Sequence, residues 1–225
     1  MEERGRAHSA KRLDAFVDAA FAFAVTLLVI GNGAVPVRYA DLEQAMRQTP
    51  AFAIGFAFLA IFWHGHVRWR AYASRRGALP VLISLVLVFL VLVYVYPLRL
   101  MSISLVEFIT RDTPTIRNRD EVASLFALYG LGFMAMAGAM AALFASSLKC
   151  QPDAAARGGV LGETIIWLIL AGSGLGSALL SRISPILAPW IYSLLPIAIG
   201  LFVRRHDWAP AAAKAEAPPP AAGDR

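Results

Sequence analysis

The chain has 225 residues, of which 58% are hydrophobic, and its mean hydropathy is +0.61. This composition lies beyond that of ordinary soluble domains, and several long apolar runs predict an all-α integral membrane protein. The formal net charge of +6 does not indicate nucleic-acid binding, because Lys and Arg in a membrane protein report topology first, and the single cysteine excludes an intrachain disulfide.

The first apolar run extends over residues 12–30 and carries Arg12, Asp14 and Asp18 at its start. A charge at the centre of a membrane helix costs about 2.5–3.5 kcal/mol on insertion scales, so such charges usually face a bundle interior or a wet cavity. The two aspartates also favour a retained helix over a cleaved signal peptide. At about 100° per residue, one side of this helix carries Phe23, Thr26, Leu27 and Ile30, and another carries Asp18, Ala22, Val25 and Val29. We expect one face to line a pathway and the other to contact a neighbouring helix.

The second helix is predicted over residues 51–71, and tryptophans beside arginines at its end are typical of a membrane–water interface. His64 and His66 are two positions apart, so they point about 200° away from each other on a helix and do not form a two-histidine metal face. The sequence contains no G-x-S-x-G, no phosphate-cradling glycine loop and no H-E-x-x-H. We therefore predict neither a catalytic site nor a metal site.

Arg12, Phe16 and Asp18 form the pattern R-x-x-x-F-x-D, which is followed by a Thr-Leu-Leu run. This stretch resembles the first helix of the transmembrane protein 175 family, which comprises leak potassium channels of bacteria and animal endolysosomes, although Val17 replaces the usual serine.

The end of the second helix provides the other match. Family members carry a tryptophan with a histidine three residues on, often as W-x-x-H-H. Trp63 and His66 have this spacing, whereas Val67 replaces the second histidine. Because antiparallel neighbours bring these helix ends together, we predict a structural polar cluster that contains Arg12, Phe16, Asp18, Trp63 and His66. The alternative is a set of interfacial charges that reach out to water.

Four more helices are predicted over residues 79–98, 121–148, 160–180 and 184–203, which gives six spans. Pro97 and Arg99 are expected to end the third helix. The fifth contains a G-x-x-x-G pattern from Gly172 to Gly176, which favours close helix packing within one subunit.

The predicted topology puts both termini on one side of the membrane, because the number of spans is even. Most Lys and Arg residues outside the spans lie on that same side, so the positive-inside rule places both termini in the cytoplasm. The expected location of the protein is a bacterial-type plasma (inner) membrane. Residues 1–208 then form one channel domain, and the Ala- and Pro-rich residues 209–225 are predicted to be a disordered tail.

The resemblance implies a tetrameric, potassium-permeable leak channel in a lipid bilayer, with potassium as the permeant ion and no other cofactor. The sequence has no T-V-G-Y-G-like loop, so selectivity must come from side chains on a helix. By resemblance, four copies of the first helix surround the axis; Phe23 occupies the narrowest ring, Thr26 offers a hydroxyl ring, and Leu27 and Ile30 form outer apolar layers. The family usually has an aliphatic residue where this chain has Phe23. The alternative interpretation is that Phe23, Thr26, Leu27 and Ile30 take part in ordinary helix packing.

Two other functions stay open at this stage. A proton- or solute-coupled transporter would use Asp18 and His66 as a titratable pair. Such transporters normally show inverted repeats and broken mid-membrane helices, and neither is clear in this sequence. A structural membrane protein without transport is the third hypothesis.

Overall fold

The computed structural model describes residues 2–30, 37–73, 77–116, 118–185 and 187–205, and within these ranges the regular structure is entirely helical. Five helices are long and apolar enough to cross a membrane. The prediction of an all-α integral membrane protein is confirmed. The predicted tail over residues 209–225 lies outside the described residues.

Eight α-helices and one 3-10 turn make up the described chain. They are α1 (Glu2–Ile30), α2 (Tyr39–Arg47), α3 (Thr49–Tyr72), α4 (Ala78–Thr110), α5 (Arg119–Ser147), the 3-10 turn (Leu148–Cys150), α6 (Ala154–Ile183), α7 (Trp190–Ser193) and α8 (Leu195–Arg205). Two of the long helices begin at side-chain caps. Asn118 accepts a hydrogen bond from the backbone N–H of Asp120 at 3.1 Å, and Asp153 accepts one from Ala156 at 2.7 Å.

The expectation that Pro97 and Arg99 end the third membrane helix is wrong, because α4 is 33 residues long and extends beyond both of them to Thr110. Proline lacks only one backbone donor, and membrane helices tolerate it when their surroundings satisfy the freed carbonyl. The helix ends where Arg111 adopts a left-handed conformation with φ 58°. At about 1.5 Å per residue, α4 is roughly 50 Å long and exceeds the hydrocarbon thickness of about 30 Å.

The sixth predicted helix, over residues 184–203, is interrupted in the structure. Ser184 ends α6 in an extended conformation directly before Pro185, because the residue before a proline is disfavoured in the α region. A turn follows, and the short helices α7 and α8 form the apolar stretch Trp190–Phe202. The Ser177 hydroxyl donates to the carbonyl oxygen of Ala188 at 3.3 Å and fastens this turn to α6.

The hydrophobic core lies between α1, α3, α4 and α5, with α6 packed on its other side. The first helix contributes one stripe of buried side chains: Val17, Phe21, Ala24 and Leu28. This spacing follows the 3.6-residue period of an α-helix, so the opposite face of α1 is exposed in the described part of the chain.

The backbones of α5 and α6 approach each other closely at two facing glycines. A Cβ atom added at Gly130 would lie 2.5 Å from the carbonyl oxygen of Gly174, and one added at Gly174 would lie 2.6 Å from the carbonyl oxygen of Gly130. The predicted G-x-x-x-G segment thus packs closely within the subunit, but the contact belongs to its central glycine. A Cβ atom at Gly172 would meet open space.

Candidate functional site

The predicted pathway face of α1 lies largely on the outside of the protomer. The side chains of Phe23 and Ile30 are 55% and 59% exposed, and Thr26 between them is exposed as well. The Thr26 hydroxyl donates to the carbonyl oxygen of Ala22 at 3.0 Å, which leaves the hydroxyl oxygen able to accept or coordinate. An aromatic, a hydroxyl and an aliphatic side chain therefore lie together on the exposed face of α1.

Leu27, the fourth predicted pore-lining residue, has a different environment. It is half-buried and packs against the core, and on its outer side it borders a groove between α1 and α4. The four predicted residues are thus not equivalent: three are exposed, and Leu27 lies at the flank of the face where α4 begins to cover the helix.

Asp18 and Trp63 come together as a hydrogen-bonded pair between α1 and α3. The Trp63 indole N–H donates to a carboxylate oxygen of Asp18 at 2.9 Å. Asp18 is exposed and Trp63 is 41% exposed, so this bond sits at the rim of the contact between the two helices.

The other members of the predicted cluster lie elsewhere. His66 is buried, and its Nε2 lies 3.2 Å from the Ser84 hydroxyl of α4, so it joins α3 to α4. Arg12 and Phe16 are exposed, and within the described chain no side-chain hydrogen bond or ion pair involves Arg12. Asp18 and His66, the two groups of the transporter hypothesis, therefore have separate partners.

Two ion pairs between helices were not anticipated from the sequence. Arg70 of α3 pairs with Asp14 of α1, and Arg68 of α3 pairs with Glu163 of α6. The Glu163 side chain is only 4% exposed, so its charge depends on Arg68. The available signal was a carboxylate inside each apolar run, but sequence spacing alone does not identify a partner on another helix.

Among the described residues, no group of three or more His, Cys, Asp and Glu side chains is arranged to hold a metal ion. One face of α1 presents an exposed hydroxyl between apolar side chains, while Asp14 and Asp18 near the middle of the helix connect it to α3 through Arg70 and Trp63. Such a face can border an ion pathway in which side chains replace part of the hydration shell.

Comparison with known proteins gives one family and several channels. The family model for the endosomal/lysosomal potassium channel TMEM175 matches residues 12–97. A potassium channel of Marivirga tractuosa is 35% identical over 91 residues, which are 40% of this chain and 36% of the relative. The match to this curated relative therefore spans only about a third of the relative's length.

Solved structures of two channels share the fold over most of the chain. A variant of the potassium channel MtTMEM175, crystallised with a nanobody–MBP fusion protein, has a TM-score of 0.77 at 24% identity and covers 86% of this chain and 92% of its own. A lysosomal potassium-selective channel TMEM175 homologue from Chamaesiphon minutus has a TM-score of 0.61 at 23% identity, covering 88% and 98%.

Proposed function

We propose that the chain is a potassium-permeable leak channel of the endosomal/lysosomal potassium channel TMEM175 family, whose model matches residues 12–97, from within α1 through α2 and α3 into α4. The family and the relatives named above are potassium channels, in agreement with the prediction that the chain is not an enzyme.

The observation that carries this proposal is the uncovered face of α1. In one protomer, Phe23, Thr26 and Ile30 point away from the protein's own core. A pathway bordered by this face needs several copies around an axis, since one copy provides only one wall. We propose four copies, as the resemblance implies for a chain with a single six-helix unit.

The Phe23 side chains form the narrow point of the proposed pathway. Four phenyl rings at one level offer no oxygen to replace the water around an ion, so passage requires partial dehydration or displacement of the rings. The Thr26 hydroxyls lie one helical turn further along and supply oxygens to an ion that has passed. Low conductance with preference for the more easily dehydrated K⁺ over Na⁺ follows from this arrangement.

The contacts between helices have a supporting role in this proposal. The Asp18–Trp63 and Asp14–Arg70 pairs hold the start of α1 against α3, which sets the orientation of the face that carries Phe23. We propose a bacterial-type inner membrane with both termini in the cytoplasm, because this arrangement places the basic loop ends on the cytoplasmic side. The transporter hypothesis gains no specific support, since Asp18 and His66 have separate partners.

Ion flux into liposomes tests the proposal. Purified protein is reconstituted into vesicles loaded with K⁺ and diluted into K⁺-free buffer, and a pH-sensitive dye with a protonophore reports K⁺ efflux. We expect efflux above that of protein-free vesicles, and smaller flux when Na⁺ replaces K⁺. Flux equal to that of empty vesicles under both gradients would contradict the proposal. Flux that requires a proton gradient and no membrane potential would favour the transporter.

A further inference from the structure

A groove runs along the protein surface between α1 and α4, near the end of the membrane that lies opposite the start of α1. It encloses about 220 Å³. Five of its lining side chains are apolar or aromatic, and one is an arginine: Leu27, Val95, Tyr96, Leu100, Ile103 and Arg99. The groove thus combines an apolar floor with a single cation.

Arg99 differs from the other half-buried arginines of the membrane helices. Arg68 and Arg70 each pair with a carboxylate from another helix. Within the described residues, no carboxylate, carbonyl or hydroxyl oxygen is recorded as a partner of the Arg99 guanidinium. A guanidinium carries five N–H donors and is always charged, so the donors of a half-buried one take acceptors from water or from an anion, and an anion also balances the charge.

The depth of Arg99 identifies where such an anion is available. At about 1.5 Å per residue, Arg99 lies roughly 30 Å along α4 from Ala78, which is about the thickness of the hydrocarbon layer. Tyr96, one turn earlier, is 71% exposed, as is typical of aromatic side chains at a membrane interface. Arg99 is therefore at the level of the lipid headgroups, with Val95 of the groove on its membrane side and Ile103 on its water side.

We propose that this groove binds one anionic phospholipid of the leaflet opposite the termini. The phosphate pairs with the guanidinium of Arg99, in the bidentate geometry that arginine favours with phosphate, and an acyl chain lies along Leu27 and Val95. An anionic headgroup is preferred over a zwitterionic one, because Arg99 has no carboxylate among the described residues to neutralise it. The lipid would contact Leu27 on the flank of the proposed pore face, but binding itself does not depend on ion conduction.

Native mass spectrometry of the delipidated protein, titrated with phosphatidylglycerol or phosphatidylcholine, tests this site. We expect phosphatidylglycerol to bind the wild-type protein about tenfold more tightly than Arg99→Gln, because the variant loses the charge-assisted hydrogen bonds to the phosphate. Arg99→Lys should retain part of the binding. Arg182→Gln is the matched control, since Arg182 is exposed at the end of α6 on the same side of the membrane and should bind lipid as the wild type does.

A second variant covers the case in which Arg99→Gln fails to fold. Ile103→Trp keeps the charge but fills the groove, and it should lose phosphatidylglycerol binding while far-UV circular dichroism stays that of a helical protein. Equal binding by wild type, Arg99→Gln and Ile103→Trp would overturn the proposal. So would equal affinity of the wild type for the anionic and zwitterionic lipids, or a groove that binds no lipid because a second copy of the chain covers it.

Discussion

Trp63 of α3 donates its indole N–H to Asp18 of α1 at 2.9 Å, across the contact that fixes the first helix. The bond is long-range in sequence and sits at an exposed rim, so its partners are held in place by the core beneath them rather than by each other. Val17 and Phe21, on the adjoining face of α1, are buried in that core. The pair therefore orients a helix whose burial is already secured.

The first prediction concerns this pair. Trp63→Phe keeps the aromatic bulk but removes the donor, so we expect a lower thermal midpoint in detergent, equivalent to about 1 kcal/mol for a charged hydrogen bond at a partly exposed site. Asp18→Asn should likewise lower the folded, assembled yield while the K⁺-to-Na⁺ ratio of the surviving protein stays unchanged. Trp190→Phe, at an exposed tryptophan that begins α7, is the control. Normal yield with altered selectivity in Asp18→Asn would instead indicate a direct role in permeation.

The second prediction concerns the Arg68–Glu163 pair between α3 and α6. Arg68→Gln leaves the almost fully buried Glu163 without its cation, which should cost about 3–5 kcal/mol. The double variant Arg68→Gln/Glu163→Gln removes both charges and should be more stable than Arg68→Gln alone. Thermal unfolding monitored by size-exclusion chromatography measures both, and Glu43→Gln, in the exposed pair with Arg47, should change the midpoint little. A double variant less stable than the single one would mean that the burial of Glu163 does not control this effect.

The third prediction concerns the contact between α5 and α6. Gly174→Ala places a methyl group against the Gly130 carbonyl oxygen, a backbone atom that cannot move aside, so we expect a strong loss of thermal stability and of folded yield. Gly172→Ala makes the same chemical change two residues away in open space and should be neutral or stabilising by up to about 1 kcal/mol through helix propensity. Equal effects of the two substitutions would contradict the assignment of the contact to Gly174.

The fourth prediction concerns assembly. An ion pathway lined by the exposed face of α1 requires several copies, and we expect a homotetramer. Light scattering with refractive-index correction for bound detergent, or native mass spectrometry, gives the mass of the protein component against 24.3 kDa for one chain. A monomer across the accessible concentration range would remove the axial pathway.

The sequence alone was sufficient for the fold class, and the motifs at Arg12 and Trp63 indicated the family whose model matches residues 12–97. It was not sufficient for the packed side of α1. The side with Asp18, Ala22, Val25 and Val29 was expected to contact a neighbouring helix, but the buried stripe is Val17, Phe21, Ala24 and Leu28, and Asp18, Ala22 and Val29 are exposed as Phe23 and Ile30 are.

Features of the structure that depend on residues distant in the sequence could not be predicted from the sequence. The apolar run ends near Leu98, but α4 continues because an amphipathic segment beyond the membrane remains helical to Thr110. His66 was assigned to the side of Asp18, whereas its ring meets Ser84 of α4. In both cases the outcome depends on which helix packs alongside, and spacing within one helix does not specify its neighbour.

The most direct test of the central claim, that the exposed face of α1 lines the ion pathway, is potassium flux through Phe23→Ala in liposomes. Removing four phenyl rings from the narrow point should raise K⁺ flux above the wild type and weaken discrimination against Na⁺, with Phe23→Leu between the two. Two control variants at matched incorporation should conduct as the wild type does: Phe89→Ala, at a 65% exposed phenylalanine of α4, and Val25→Ala, at a half-buried position of α1 packed against the core. If Phe23→Ala leaves flux and selectivity unchanged while Val25→Ala alters them, a different face of α1 lines the pathway and the account is contradicted.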